Sequence, residues 1–138
     1  MRDAIARALA GTPVLAAWLM GSRAHGTARP DSDTDVGVLL PRGTAVTPAL
    51  VADLTLRLED QGVARPDVHV LNDTALAFQA EAVMRGERVY SASEEERVLY
   101  EVWVTTRYLD FEPILQLQYR IQRRRIAAGE RLGRPVGG

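Results

Sequence analysis

Apolar and polar positions alternate along this chain in short blocks, each closed by a turn residue. Asp3–Leu9 reads as a short helix with Ile5, Ala8 and Leu9 on one side, broken by Thr12-Pro13. Val14–Met20 is a continuous apolar run, the pattern of a strand buried on both faces. Gly21-Ser22 ends it and starts a short helix through Ala24-His25, with Ser22 as N-cap. After a polar loop, Thr34–Leu40 is a second strand, stopped by Pro41 and Gly43. Thr47-Pro48 opens a helix with Pro at its first position, Leu50, Leu54 and Leu58 recur along it, and Gly62 follows its end. Asp67–Leu71 is a third strand, Thr74–Arg85 an amphipathic helix closed by Gly86, and Arg88–Tyr90 a short edge strand. Ser93 with Glu96 forms a capping box for a helix to about Leu109. Pro113 predicts a break, with a last helix over about 114–128. Strands interleaved with helices, then a helical tail, predict a single α/β or α+β domain.

The helix from 94 to 109 carries two apolar stripes, Val98, Leu99, Val102, Trp103 and Leu109 on one and Tyr100, Val104 and Tyr108 on the other. One stripe suits the sheet; the other is left for the last helix or a partner, and the simplest reading packs both within the chain, with Trp103 in the core. The domain is expected over 1–130, its core over about 12–92 and the helical tail over about 93–130, with a disordered Gly/Pro/Arg-rich tail at 131–138.

Composition narrows the function. The 138 residues carry a net charge of −1, which argues against binding nucleic acid by bulk electrostatics. All 17 basic residues are arginines, and from Arg120 onward six of them face one acid, Glu130. Arg123-Arg124-Arg125 spans most of a helical turn, so the three cannot all meet one partner; a solvated helix end is the simpler reading, an acidic partner surface the sharper one. There is no cysteine, hence no disulfide and no thiolate site. Pro13–Met20 is too short to span a bilayer, and Met1-Arg2-Asp3 is a poor secretory start. A cytoplasmic protein without membrane contact is expected.

The candidate chemistry lies in Gly21-Ser22 and, ten residues on, Asp33-Thr34-Asp35. Alternate residues of a strand share a face, so Asp33 and Asp35 point the same way with Cα atoms about 6.5–7 Å apart. Two carboxylates so placed repel unless positive charge lies between them. Hard divalent ions such as Mg²⁺ take carboxylate and phosphate oxygens and can clamp the oxygens of an in-line displacement at phosphorus. Gly21 lets backbone approach a phosphate closely. Ser22 adds a hydroxyl donor, and Arg23 and Arg29 offer charge to offset a triphosphate. Asp67, at the start of the third strand, completes the metal set if that strand lies beside Thr34–Leu40, and is then the group to accept the proton of an attacking hydroxyl. His25 is read as a loop residue within reach of phosphate. His69 is read as a satisfied sheet histidine, expected to need a bulge to share the face of Asp67.

The stretch Gly21-Ser22-Arg23-Ala24-His25-Gly26 with Asp31-Ser32-Asp33-Thr34-Asp35-Val36 resembles the polymerase-β-like nucleotidyltransferase superfamily, and in particular its minimal nucleotidyltransferase (MNT) antitoxins. Gly86-Glu87-Arg88-Val89-Tyr90, Tyr108-Leu109-Asp110-Phe111 and Tyr119 are similar to later segments of that group, so the likeness covers about residues 12–128. It implies a small mixed β-sheet flanked by helices with a C-terminal helical pair. It implies nucleoside triphosphate binding at Gly21, Ser22 and Arg23, and Mg²⁺ at Asp33, Asp35 and Asp67, the catalytic set. His25 stands where relatives often have Arg, and Val36 where they have Leu or Ile. The implied activity is transfer of AMP from ATP to a tyrosine hydroxyl of a HEPN-domain ribonuclease toxin, in a hetero-oligomer. Two competing readings are a small-molecule nucleotidyltransferase of the aminoglycoside type, for which the chain has little sequence to build an acceptor pocket, and a non-catalytic antitoxin that acts by binding.

Overall fold

A computed structural model describes residues 1–129, without the side chain of Ser22; the tail expected to be disordered, 131–138, lies outside the described residues. The chain divides into two units, Met1–Thr105 and Thr106–Gly138. The first contains a four-stranded mixed sheet in the order β3-β2-β1-β4, from β1 (Ala16–Met20), β2 (Thr34–Leu39), β3 (Pro66–Val70) and β4 (Glu87–Ser91). Strand β1 runs antiparallel to β2 and to β4, while β2 and β3 are parallel. The short turn Gly21–Ala24 (α2) and its following loop connect the antiparallel pair. The parallel pair needs a crossover, supplied by α3 (Pro48–Asp60). Thr47 caps α3, its side chain accepting from the Leu50 amide, with Pro48 in the first turn as the pattern predicts.

Period-two alternation divides the sheet's side chains between two cores. Leu19, Val36, Val38 and Val70 join Ile5 and Leu9 of α1 (Arg2–Leu9) and Leu54 and Leu58 of α3. Trp18, Met20, Leu39 and Leu71 form the other core with Ala82, Phe78 and Tyr100. Trp18 is buried and its ring lies 5.7 Å from that of Tyr100 on α5 (Glu94–Ala127). On this second face Gly37 sits opposite Trp18. A methyl there would come within 3.1 Å of both Leu71 and Met20, so glycine is what allows these side chains to close over the strand.

Three expectations are corrected. The segment over 74–85 is not one amphipathic helix: a 3₁₀ turn (Leu71–Asp73) leads into α4 (Leu76–Ala80), which widens into a π turn over Glu81–Arg85. The Gly86 amide reaches the carbonyls of both Glu81 and Ala82 there, and a Cβ at Gly86 would run into the carbonyls of Ala82 and Leu19. That close approach lets the chain turn directly into β4. Second, among the described residues there is no C-terminal helical pair, because α5 continues through Pro113 as one helix. Proline forfeits one backbone hydrogen bond, but Glu112, Leu115, Gln116 and Leu117 favour helix and carry it on. Third, the stripes of α5 do not both pack inside. Val104 is fully buried and Tyr100 half-buried, whereas Val98, Leu99, Val102 and Trp103 are exposed, Trp103 by 45%. Arg97 is buried beside the packed stripe, bonded to Glu94 and Glu101. The second unit also exposes Phe111, Ile114, Leu117 and Ile121. Among the described residues no helix is long and apolar enough to cross a membrane.

Candidate active site

Register decides which acidic groups meet. In the parallel ladder Asp35 lies opposite Asp67, and Gly37 opposite His69. Two anchors fix that register. At one end buried Thr34 donates its amide to the Arg65 carbonyl (2.9 Å) and its hydroxyl to the Ala64 carbonyl (2.5 Å). At the other, the Asn72 amide group brackets Leu40, accepting from its N–H and donating to its carbonyl, each at 2.9 Å. A slip of one residue would send Asp67 to the other face.

Asp35, Asp67 and His69 form one cluster, with a ligand atom of each within 4.8 Å of the others. His69 Nε2 lies 3.1 Å from Asp35 Oδ1 and 3.3 Å from Asp67 Oδ2. No bulge is required: residues two apart on a strand share a face, so the expectation for His69 inverted its parity. Because Gly37 presents no side chain, the imidazole leans across β2 to reach Asp35. Phe78 backs the ring, with centroids 5.1 Å apart.

The other expected residues are placed as follows. Gly21 has φ +67°, and a Cβ there would lie 2.9 Å from Asp35 Oδ2, so the turn leaves a gap beside the carboxylate that only glycine provides. Ser22 falls in the first turn of α2, its side chain outside the described residues; the helix starts at Gly21, with Met20 rather than Ser22 at the cap position. Arg23 Nη2 donates to the Ser32 carbonyl at 2.8 Å, tying α2 to the loop before β2. That loop is further held by the Arg29 amide donating to Ser32 Oγ. His25 and Arg29 are exposed. Asp33 stands apart from the three-residue cluster, its Oδ1 accepting from Arg65 Nε at 3.0 Å.

Sequence reasoning passed over Arg65 and set His69 aside as a sheet histidine. The first had no visible signal beyond its place two residues before Asp67. Its positive φ of 48°, rare for a side chain with Cβ, shows only in the structure. The second was legible from the spacing Asp67-x-His69.

The donor set suits a divalent cation: two carboxylates face each other with an imidazole nitrogen between them, and the Gly21 gap keeps one edge open. A separate open groove of about 850 Å³, lined by Leu39, Leu40, Leu99, Tyr100 and Trp103 together with Arg42, Asn72, Gln79 and Glu96, lies at the far end of β2 from Asp35.

Comparison with known proteins agrees with this fold. Solved structures of similar fold include a toxin–antitoxin with AMP-PNP (TM-score 0.72, 18% identity, 88% of this chain and 98% of that one). Another is the toxin–antitoxin MntA–HepT (TM-score 0.65, 15% identity, 88% and 96%). A third is the complex of a tri-AMPylated Shewanella oneidensis HEPN toxin with MNT antitoxin (TM-score 0.60, 16% identity, 89% of each chain). No curated protein matches the chain. The family model of polymerase beta nucleotidyltransferases matches residues 4–95, a span that holds the sheet, the Gly21 turn and all of the acidic cluster, and the chain belongs to that family.

Proposed function

We propose that this nucleotidyltransferase is the antitoxin of a HEPN/MNT pair and transfers AMP from ATP to a tyrosine hydroxyl of the partner ribonuclease, with Mg²⁺ as cofactor. The observation that carries the reading is the pairing of Asp35 with Asp67 across β2 and β3 beside the Gly21 gap. Asp35 and Asp67, with Asp33 once Arg65 releases it, are the residues that hold the cation. A divalent ion there supplies charge neutralisation of the triphosphate and polarisation at the α-phosphorus. The Gly21 turn gives the β- and γ-phosphates close access to backbone, with Ser22 and Arg23 as further donors. The tyrosine oxygen attacks the α-phosphorus, the bond from that phosphorus to the bridging oxygen breaks, and pyrophosphate leaves. In this reading Asp67, whose side chain is 54% exposed, takes the tyrosine proton.

Likeness in fold to toxin–antitoxin structures supports the choice of partner, as does the exposed stripe Val98, Leu99, Val102 and Trp103, the kind of apolar surface that a stable complex buries. The stripe also favours a second reading, in which binding alone neutralises the partner. Incubation of the chain and its neighbouring-gene HEPN protein with α-labelled ATP tests the first. Label is expected on the toxin with wild type and absent with Asp35→Asn. Toxin that stays unlabelled yet is neutralised by both forms establishes the second reading instead.

A further inference from the structure

We propose that His69 is a metal ligand, and that its nitrogen makes the Asp35–Asp67 site prefer first-row transition ions such as Mn²⁺ and Co²⁺ over Mg²⁺; the inference rests on the nucleotidyltransferase reading above.

The two spacings from His69 to the carboxylates are those of ligands around one ion. Groups each about 2.1 Å from a common metal stand about 3.0 Å apart at right angles and about 3.4 Å apart at tetrahedral angles. His69 Nε2 is 3.1 Å from Asp35 Oδ1 and 3.3 Å from Asp67 Oδ2, inside that interval on both sides. An ion can therefore enter with little movement of the ring, Nε2 exchanging the proton it shares with the two carboxylates for the metal.

The ring is also held in place. Its side chain is 28% exposed, Phe78 packs against it, and Gly37 opposite offers nothing to push it aside. Turning it out of the site would expose the Phe78 contact and leave two carboxylates facing each other without a partner.

Chemistry then sets the preference. Mg²⁺ demands oxygen ligands and sheds water reluctantly, whereas imidazole suits transition ions. A mixed set of one nitrogen and two carboxylates discriminates between them in a way that an all-carboxylate set does not.

The competing role for His69 is that of a hydrogen-bond donor that only keeps the carboxylates together until an ion displaces it. In that case His69→Gln changes Mn²⁺ and Mg²⁺ affinity in parallel. As a ligand, His69→Gln weakens Mn²⁺ and Co²⁺ binding on the order of tenfold while changing Mg²⁺ binding far less. Mn²⁺ binding is read from the free-ion electron paramagnetic resonance signal, and Mg²⁺ by competition, without nucleotide. Spin-echo modulation of Mn²⁺ bound to the wild-type chain provides a readout free of any folding defect, with coupling to an imidazole nitrogen expected. Parallel changes in both affinities, or bound Mn²⁺ with no nitrogen coupling, overturn the inference. Asp35→Asn separates this from failure of the underlying reading. If it abolishes binding of both ions while nitrogen coupling is missing in wild type, only the histidine role falls. If it leaves both affinities as in wild type, the nucleotidyltransferase site itself is misassigned.

Discussion

Replacing Gly21 with alanine tests whether the turn exists for the backbone or for the carboxylate next to it. Gly21 has φ +67°, and an L-residue in that region costs about 1–2 kcal/mol. Restricting the unfolded chain returns about 0.4–1 kcal/mol, leaving a net loss of about 1 kcal/mol, or a fall of roughly 4 °C in melting temperature for a chain of this size. Gly62→Ala carries the same backbone penalty, since Gly62 sits at φ +84° after α3, but its added methyl meets nothing within 4 Å. The two variants therefore match in stability and differ in one respect: at Gly21 the methyl lies 2.9 Å from Asp35 Oδ2. The carboxylate must move by several tenths of an ångström to restore an ordinary contact near 3.3 Å. Displacements of about 1 Å in a reacting constellation lower rates by about a hundredfold, so a loss of transfer between about tenfold and a hundredfold is expected for Gly21→Ala. Gly62→Ala should retain the wild-type rate. Thermal unfolding and initial rates of transfer from α-labelled ATP read the two effects separately. Equal melting temperatures with equal, undiminished transfer rates would refute the assignment of the Gly21 gap to the site.

Three further outcomes are expected. Leu54→Ala empties a fully buried position between α3 and the sheet and should lower stability by about 2–5 kcal/mol in urea unfolding. Arg65→Ala breaks a pair whose side chains are 62% and 55% exposed; a loss below about 1 kcal/mol is expected, and a larger one would mean that the pair helps to hold the β2–β3 register. Glu94→Gln should lower the melting temperature at pH 7, by an amount that shrinks as the pH falls into the acid range. The hydrogen bond from Arg97 holds the Glu94 carboxyl below its ordinary range, and a depressed folded-state value stabilises above the unfolded value and ceases to do so as pH falls through the folded one. A gap between variant and wild type that persists into acid would count against that pairing.

Most of the sheet could be read from the chain because its strands announce themselves twice, by apolar content and by the turn residues that close them. Val14–Met20 and Thr34–Leu40 differ from β1 and β2 by one or two residues at their ends. The Asp-x-Asp spacing and the later Asp67 likewise pointed to one end of the sheet, since strand parity is a local property. What was not legible depends on contacts between segments distant in sequence. Asp33 and Asp35 share a face, yet Arg65, thirty-two residues from Asp33, draws Asp33 out of the cluster while register hands Asp35 to Asp67. Proline reads as a stop, but whether a helix ends there depends on the residues that follow, and α5 goes on. The stripes of that helix were visible as two faces. Which one packs was decided by Trp18, whose ring claims Tyr100 and so turns Trp103 outward. The same rotation sets the exposed apolar face and the buried Arg97 at once. A substitution that loosened the Trp18–Tyr100 contact would therefore act on the surface offered to a partner as well as on the core.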